Sequence, residues 1–135
     1  MEEEVTKSTP HRVQVGVLQQ AVEEIEPKLR GGKLARIWKV MKANYADQSL
    51  SWTRVAREAG ACPRHMNRTL VGACGLTFKQ LLIRVRLLAA VEALSREQGV
   101  LINEVALRVG FSTVAAFRIQ FKSKIGLNPE DVRRK

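Results

Sequence analysis

In the stretch PRHMNRTL, residues 63–70, two arginines and an asparagine stand at 64, 67 and 68. On a helix that buries Met66, Leu70 and Ala73, a turn of about 100° per residue puts Arg64, Asn67, Arg68 and Val71 on the opposite face. Arginine can bond both O6 and N7 of guanine, and asparagine both N6 and N7 of adenine. The chemistry predicted is therefore recognition of base edges in a DNA major groove. His65 lies at the flank of that face, where a phosphate is within easier reach than a base.

Other chemistries find less support in the same region. Cys62, His65 and Cys74 lack a fourth ligand, and the two cysteines do not have the spacing of a zinc site. A Cys62–His65 nucleophile would need a third group to orient it. If both cysteines flank one helix they stand roughly 16 Å apart, too far for a disulfide. The sequence holds no glycine-rich phosphate loop and no paired-carboxylate motif. The chain is read as a non-enzyme that carries neither cofactor nor metal.

The elements that would position these residues occur twice. Residues 52–76 overlay 102–127: Trp52, Val55, Ala56, Ala59 and Gly60 fall on Ile102, Val105, Ala106, Val109 and Gly110. One extra residue enters the turn of the second copy, after which Met66, Leu70 and Gly75 match Phe117, Phe121 and Gly126. Each copy reads as a short helix, a glycine stop, a tight turn and a second helix, the helix-turn-helix pattern. Between the copies Thr77 and Gln80 give a capping-box signal for a helix running to about Glu97. Such a rod is about 30 Å long, close to the roughly 34 Å turn of B-DNA. Asn128 and Pro129 mark the start of a last helix. No strand pattern is found, so the fold class is all-α: two helix-turn-helix subdomains joined by a long linker helix.

Upstream, residues 1–12 lack periodicity and read as a disordered tail. Leu18, Ala21, Val22, Ile25 and Leu29 form a helical stripe that Pro27, Gly31 and Gly32 bring to an end. A further stripe follows, of Leu34, Ile37, Trp38, Met41 and Tyr45. The organisation expected is an acidic tail with a short amphipathic helix (1–32), a first unit (33–76), a linker helix (77–98) and a second unit (99–135).

Charge agrees with a polyanionic partner. The 135 residues carry 23 Lys and Arg against 13 Asp and Glu, a formal net charge of +10. Residues 1–30 hold six acidic and four basic side chains, so the remainder carries 19 basic against seven acidic. That excess is more than the net charge of roughly 2–8 that solubility alone calls for, and it favours phosphate polymers. No apolar run approaches the roughly 18 residues of a membrane span. Two cysteines make no disulfide framework, so a reducing, cytoplasmic and nucleoid-associated setting is expected, with no membrane partner.

The second copy is equipped differently. With Phe117, Phe121 and Lys124 taken as its inner side, its outer face is Ala115, Arg118, Ile119 and Lys122. Ala115, Arg118 and Ile119 stand where the first copy has Arg64, Asn67 and Arg68. The base-reading set is thus Arg64, Asn67, Arg68, Arg118, Ala115 and Ile119. The first unit is expected to dominate and the second mainly to anchor, through Arg118, Lys122 and Lys124. Thr53, Arg54, Arg57, His65 and Thr113 complete the DNA-backbone set, since phosphate contacts fix register without carrying sequence. Arg84, Arg86, Arg133, Arg134 and Lys135 are weaker candidates for the same role.

The stretch from AREAGACPRHMNRTL through GLTFKQLLIRVRLLAAVEAL to INEVALRVGFSTVAAFRIQFKSKIGLNPEDVRR closely resembles the DNA-binding domain of AraC/XylS-type transcription regulators. The resemblance covers roughly residues 33–135 and rests on both turn glycines, PRH, GFS, F-x(3)-F and GLNP. It implies two units joined by a long helix, reading asymmetric sites in successive major grooves of bacterial promoters and contacting RNA polymerase. By position it implicates Arg64, Asn67 and Arg68, and in the second unit Thr113, Val114, Ala115, Arg118 and Ile119. Members usually have serine where Cys62 stands, arginine where Ile119 stands and serine or threonine where Arg118 stands. They also carry a sizeable effector domain, for which some 32 preceding residues are too few; the chain then resembles the small stand-alone activators or a fragment of a larger regulator.

Two functions stand against each other at this level. One is a sequence-specific regulator binding double-stranded promoter DNA. The other is a low-specificity architectural DNA binder, or an adaptor that meets a protein partner or a second copy through the helix at 17–30.

Overall fold

The computed structural model describes residues 23–97 and 99–133, with the backbone alone at Arg133. The expectations for the tail, for Leu18, Ala21 and Val22, and for Arg134 and Lys135 lie outside the described residues.

Chain order explains how the first unit closes. A helical segment at 23–28 leads through three residues into α1 (Gly32–Asn44), which buries Ile37, Trp38 and Met41. Ile25 and Leu29 are buried against these side chains, in one core with Val55, Met66 and Leu70. Lys42 Nζ donates to Glu26 at 3.0 Å and stands over the Trp38 ring, tying the segment to α1. The turn after α1 is closed by Asp47, whose carboxylate accepts from the Ser49 amide and hydroxyl. Ser51 then caps α2 (Trp52–Glu58) by accepting from the Arg54 amide.

Both units turn on the same backbone device. After α2 the Gly60 amide donates to Arg57 and the Ala61 amide to Ala56. After α5 (Ile102–Arg108) the Gly110 amide donates to Leu107 and the Phe111 amide to Ala106. This closure places its glycine at positive φ, +73° at Gly60 and +108° at Gly110, a region that residues with a Cβ rarely adopt. The turns differ only afterwards: α3 (Pro63–Cys74) begins three residues past its glycine, and α6 (Val114–Ile125) four. That is the one-residue insertion visible in the sequence repeat. The short α7 (Pro129–Arg133) completes the second unit.

The linker helix α4 (Phe78–Arg96) starts from the capping box of Thr77 and Gln80. Its buried residues serve two cores in succession. Phe78, Leu81 and Leu82 pack into the first core. Leu87, Ala90, Val91 and Leu94 pack into the second, with Val105, Phe117, Phe121, Ile125 and Val132. Among the described residues there is no strand, and the fold is all-α with two helix-turn-helix units on one linker.

Two expectations change here. Arg86, weighed as a phosphate contact, is only 9% exposed and stands where α4 passes from one core to the other. Its Nε donates to the Tyr45 carbonyl at 2.7 Å and its Nη2 to the Asp47 carbonyl at 2.9 Å. Tyr45 caps the end of α1, and Asp47 lies in the turn beyond it, where its carbonyl also accepts from the Leu50 amide, so the guanidinium is spent on holding this turn to α4. The inner side of α6 also ends on Ile125, while Lys124 is exposed. The buried row follows the i, i+4 ridge of Phe117, Phe121 and Ile125, as helices crossing α4 at an angle pack. Truncating Phe121 to alanine would cost about 3–5 kcal/mol, the usual range for a buried aromatic.

Candidate nucleic-acid interface

The second helix of the first unit, α3, is held at its start from outside. Cys62 is its N-cap residue but makes no side-chain cap bond, and Pro63 supplies the first helical position. Trp52 Nε1 pins the helix start in another way, donating at 2.7 Å to the Pro63 carbonyl from the head of α2. The Trp52 ring in turn rests on Phe78, with centroids 5.5 Å apart. Met66 and Leu70 are buried beneath, so the helix cannot rotate without opening the core.

What α3 then shows to solvent is Arg64, His65, Asn67, Arg68 and Val71, all exposed. Among the described residues the side chains of Arg64, Asn67 and Arg68 have no hydrogen-bond or ion-pair partner. Elsewhere arginines are neutralised locally: Arg108 by Glu97 at 2.6 Å, Arg96 by Glu92 at 3.1 Å and Arg118 by Glu130 at 2.7 Å. Positive charge on α3 is left available, which is what a site for a polyanion requires. Arg64 and Asn67 border an open cleft of about 390 Å³ with Trp52, Thr77 and Lys79. Lys79, which the sequence-based set does not include, joins this cleft from the first turn of the capped helix that follows α3 directly.

The remaining candidates divide by what holds them. Thr53 and Arg57 are exposed on α2. Arg54 is instead a brace: its Nη1 meets Asp47 at 2.6 Å and its Nε meets Glu58 at 2.9 Å. Bonds from Ser49 first, and then from Arg54, hold the Asp47 carboxyl down to about 2. The same partners, Glu58 foremost, raise the Arg54 guanidinium above its ordinary value. Reaching a phosphate would cost Arg54 both pairs, so the geometry assigns it to the α1–α2 turn.

In the second unit Thr113 caps α6, accepting from the Ala116 amide. Val114 is half-buried against the core, whereas Ala115, Ile119, Lys122 and Lys124 are exposed. Arg118 is held by a fork of two bonds, Nη1 to Glu130 Oε1 at 3.1 Å and Nη2 to Oε2 at 2.7 Å. Glu130 stands in the first turn of α7, where the helix dipole favours a carboxylate. Of the weaker candidates, Arg84 is half-buried on α4. Cys62 and Cys74 are free at opposite ends of α3. Among the described residues no group of three His, Cys, Asp or Glu could hold a metal, and no helix is long and apolar enough to cross a membrane.

Residues 55–135 match the family described as helix-turn-helix domain, which is more than half of the chain. The chain belongs to the AraC-type helix-turn-helix family. It is 30% identical over 120 residues to the transcriptional activator RhrA of Rhizobium meliloti, covering 87% of this chain and 38% of that one. The chain thus spans little more than a third of the length of that curated relative. Its fold is similar to the C-terminal domain of AraT, a response regulator of Geobacillus stearothermophilus. The TM-score is 0.70 and the identity 27%, over 82% of this chain and 86% of that one. The DNA-binding domain of AdpA, a global transcriptional factor solved with a target DNA, gives a TM-score of 0.70 at 25% identity, over 77% and 92%.

Proposed function

We propose that this AraC-type chain is a sequence-specific, double-stranded DNA-binding transcription regulator that sets α3 and α6 into two successive major grooves, with α3 dominant. The observation that carries the reading is the unpartnered Arg64–Asn67–Arg68 face, in a chain whose other arginines are so often neutralised by neighbouring carboxylates. Thr53, Arg57, His65, Lys79, Thr113, Lys122 and Lys124 are proposed to meet phosphates. The AdpA domain solved on its target DNA and the activator RhrA support both the ligand and the role. A promoter-bound regulator of this kind would have RNA polymerase as its protein partner. The adaptor reading loses ground because Ile25 and Leu29 already face inward, against the first core.

The test is a selection of bound duplexes from a random library, followed by titration of the best duplex and a scrambled one. An asymmetric motif bound some 10³-fold or more tighter than scrambled DNA is expected. Arg68→Ala should weaken the selected duplex by about 1–3 kcal/mol and the scrambled one hardly at all. Equal losses on both would reduce Arg68 to a phosphate contact, and the absence of any motif would favour an architectural binder.

A further inference from the structure

The outward face of α6 is apolar where the face of α3 is polar. Ile119 is 67% exposed, the largest exposure among the big hydrophobic side chains described, and the exposed Ala115 lies one turn before it. No packing need accounts for this, because α6 already buries Phe117, Phe121 and Ile125 on its other side. The one arginine on this helix, whose planar fork suits two base acceptors at once, is Arg118, and both ends of that fork are closed on Glu130. What remains to meet a base is a methyl-bearing surface flanked by Lys122.

The major groove presents one apolar group, the C5 methyl of thymine. We infer that α6 reads thymine by methyl contact, through Ala115 and Ile119, while Glu130 keeps Arg118 from competing for guanine. Four residues of helix advance about 6 Å, so the two side chains meet methyls about one or two base pairs apart. The second unit then carries sequence information of its own, in addition to anchoring the chain.

This inference rests on the reading of the chain as a sequence-specific DNA binder, and the test separates the two. In the duplex selected by the full chain, each thymine of the α6 half is replaced by deoxyuridine, which removes the methyl and keeps every hydrogen-bonding group. Affinity should fall about fourfold per contacted methyl, the ratio that burying one such group supports. The Ile119→Ala chain, its fold checked by far-ultraviolet circular dichroism, should lose most of the penalty at one thymine, the one Ile119 meets, and keep it at the thymine met by Ala115. Glu130→Gln should shift the preference of this half toward guanine as Arg118 is released. A selected motif whose α6 half is indifferent to uridine would overturn methyl readout while leaving the regulator reading intact. A uridine penalty of equal size in the wild type and in Ile119→Ala would overturn the assignment to Ile119. The absence of any selected motif would overturn both readings.

Discussion

Arg54 and Arg118 look alike in sequence to Arg64 and Arg68, yet each closes on carboxylates of its own chain. Exposure on α3 was legible because a period of 3.6 fixes which side chains lie opposite Met66 and Leu70. The ion pairs were not, because Asp47 lies seven residues before Arg54 and Glu130 twelve after Arg118, each across a turn whose path no local pattern reveals. The Arg54–Glu58 and Arg96–Glu92 pairs, at i, i+4 spacing, could have been read directly. The pairing at Asp47 has a consequence for acid stability. Its carboxyl is held at about 2, below the ordinary aspartate value of 3.8, so its contribution is present above pH 3.8 and is lost as pH falls toward 2. Asp47→Asn should therefore lower the thermal midpoint at pH 7 and bring it level with the wild type near pH 2. A difference between the two that stays constant from pH 7 to pH 2 would contradict this account of Asp47.

At the scale of the element, α4 was well read in its bounds and poorly read in its role. Thr77 and Gln80 announced the start, and the capping box is present. What the sequence concealed is that the buried face of this helix changes sides midway, since the pattern of Phe78, Leu81 and Leu82 runs into that of Leu87, Ala90 and Val91 without a break. Arg86 fills the changeover, and Gly110 is packed against it. A Cβ at Gly110 would stand 2.6 Å from the Tyr45 carbonyl oxygen and 2.7 Å from Arg86 Nε, on a backbone already at φ +108°. Gly110→Ala should cost about 1–3 kcal/mol from backbone strain alone, read as a lower denaturant midpoint, with the crowding adding to it. Gly72→Ala is the control: this glycine lies inside α3 at ordinary φ with nothing within 4 Å. There alanine should stabilise by about 0.5–1 kcal/mol. Similar losses at both positions would mean that the joint around Arg86 is not tight.

For the whole molecule, the excess of basic side chains pointed to a polyanion before any element was assigned. It could not say which basic side chains remain open, because that depends on the carboxylates brought near them by folding. The repeat likewise suggested two bodies on a rod, whereas Leu81 and Leu82 belong to one core and Leu87 and Leu94 to the other. Neither unit owns the helix that completes it. The chain should accordingly resist division: peptides 23–76 and 99–133, each deprived of α4, are expected to stay unfolded when separate. In the intact chain, amide hydrogens at the centre of α4 should exchange with solvent only when the whole molecule opens, and the α3 and α6 amides should follow at one common limit. Early loss of protection confined to one unit would contradict this. A duplicated motif would then behave as a single cooperative body, in which damage to α3 or to α6 is felt by the other through their shared stability.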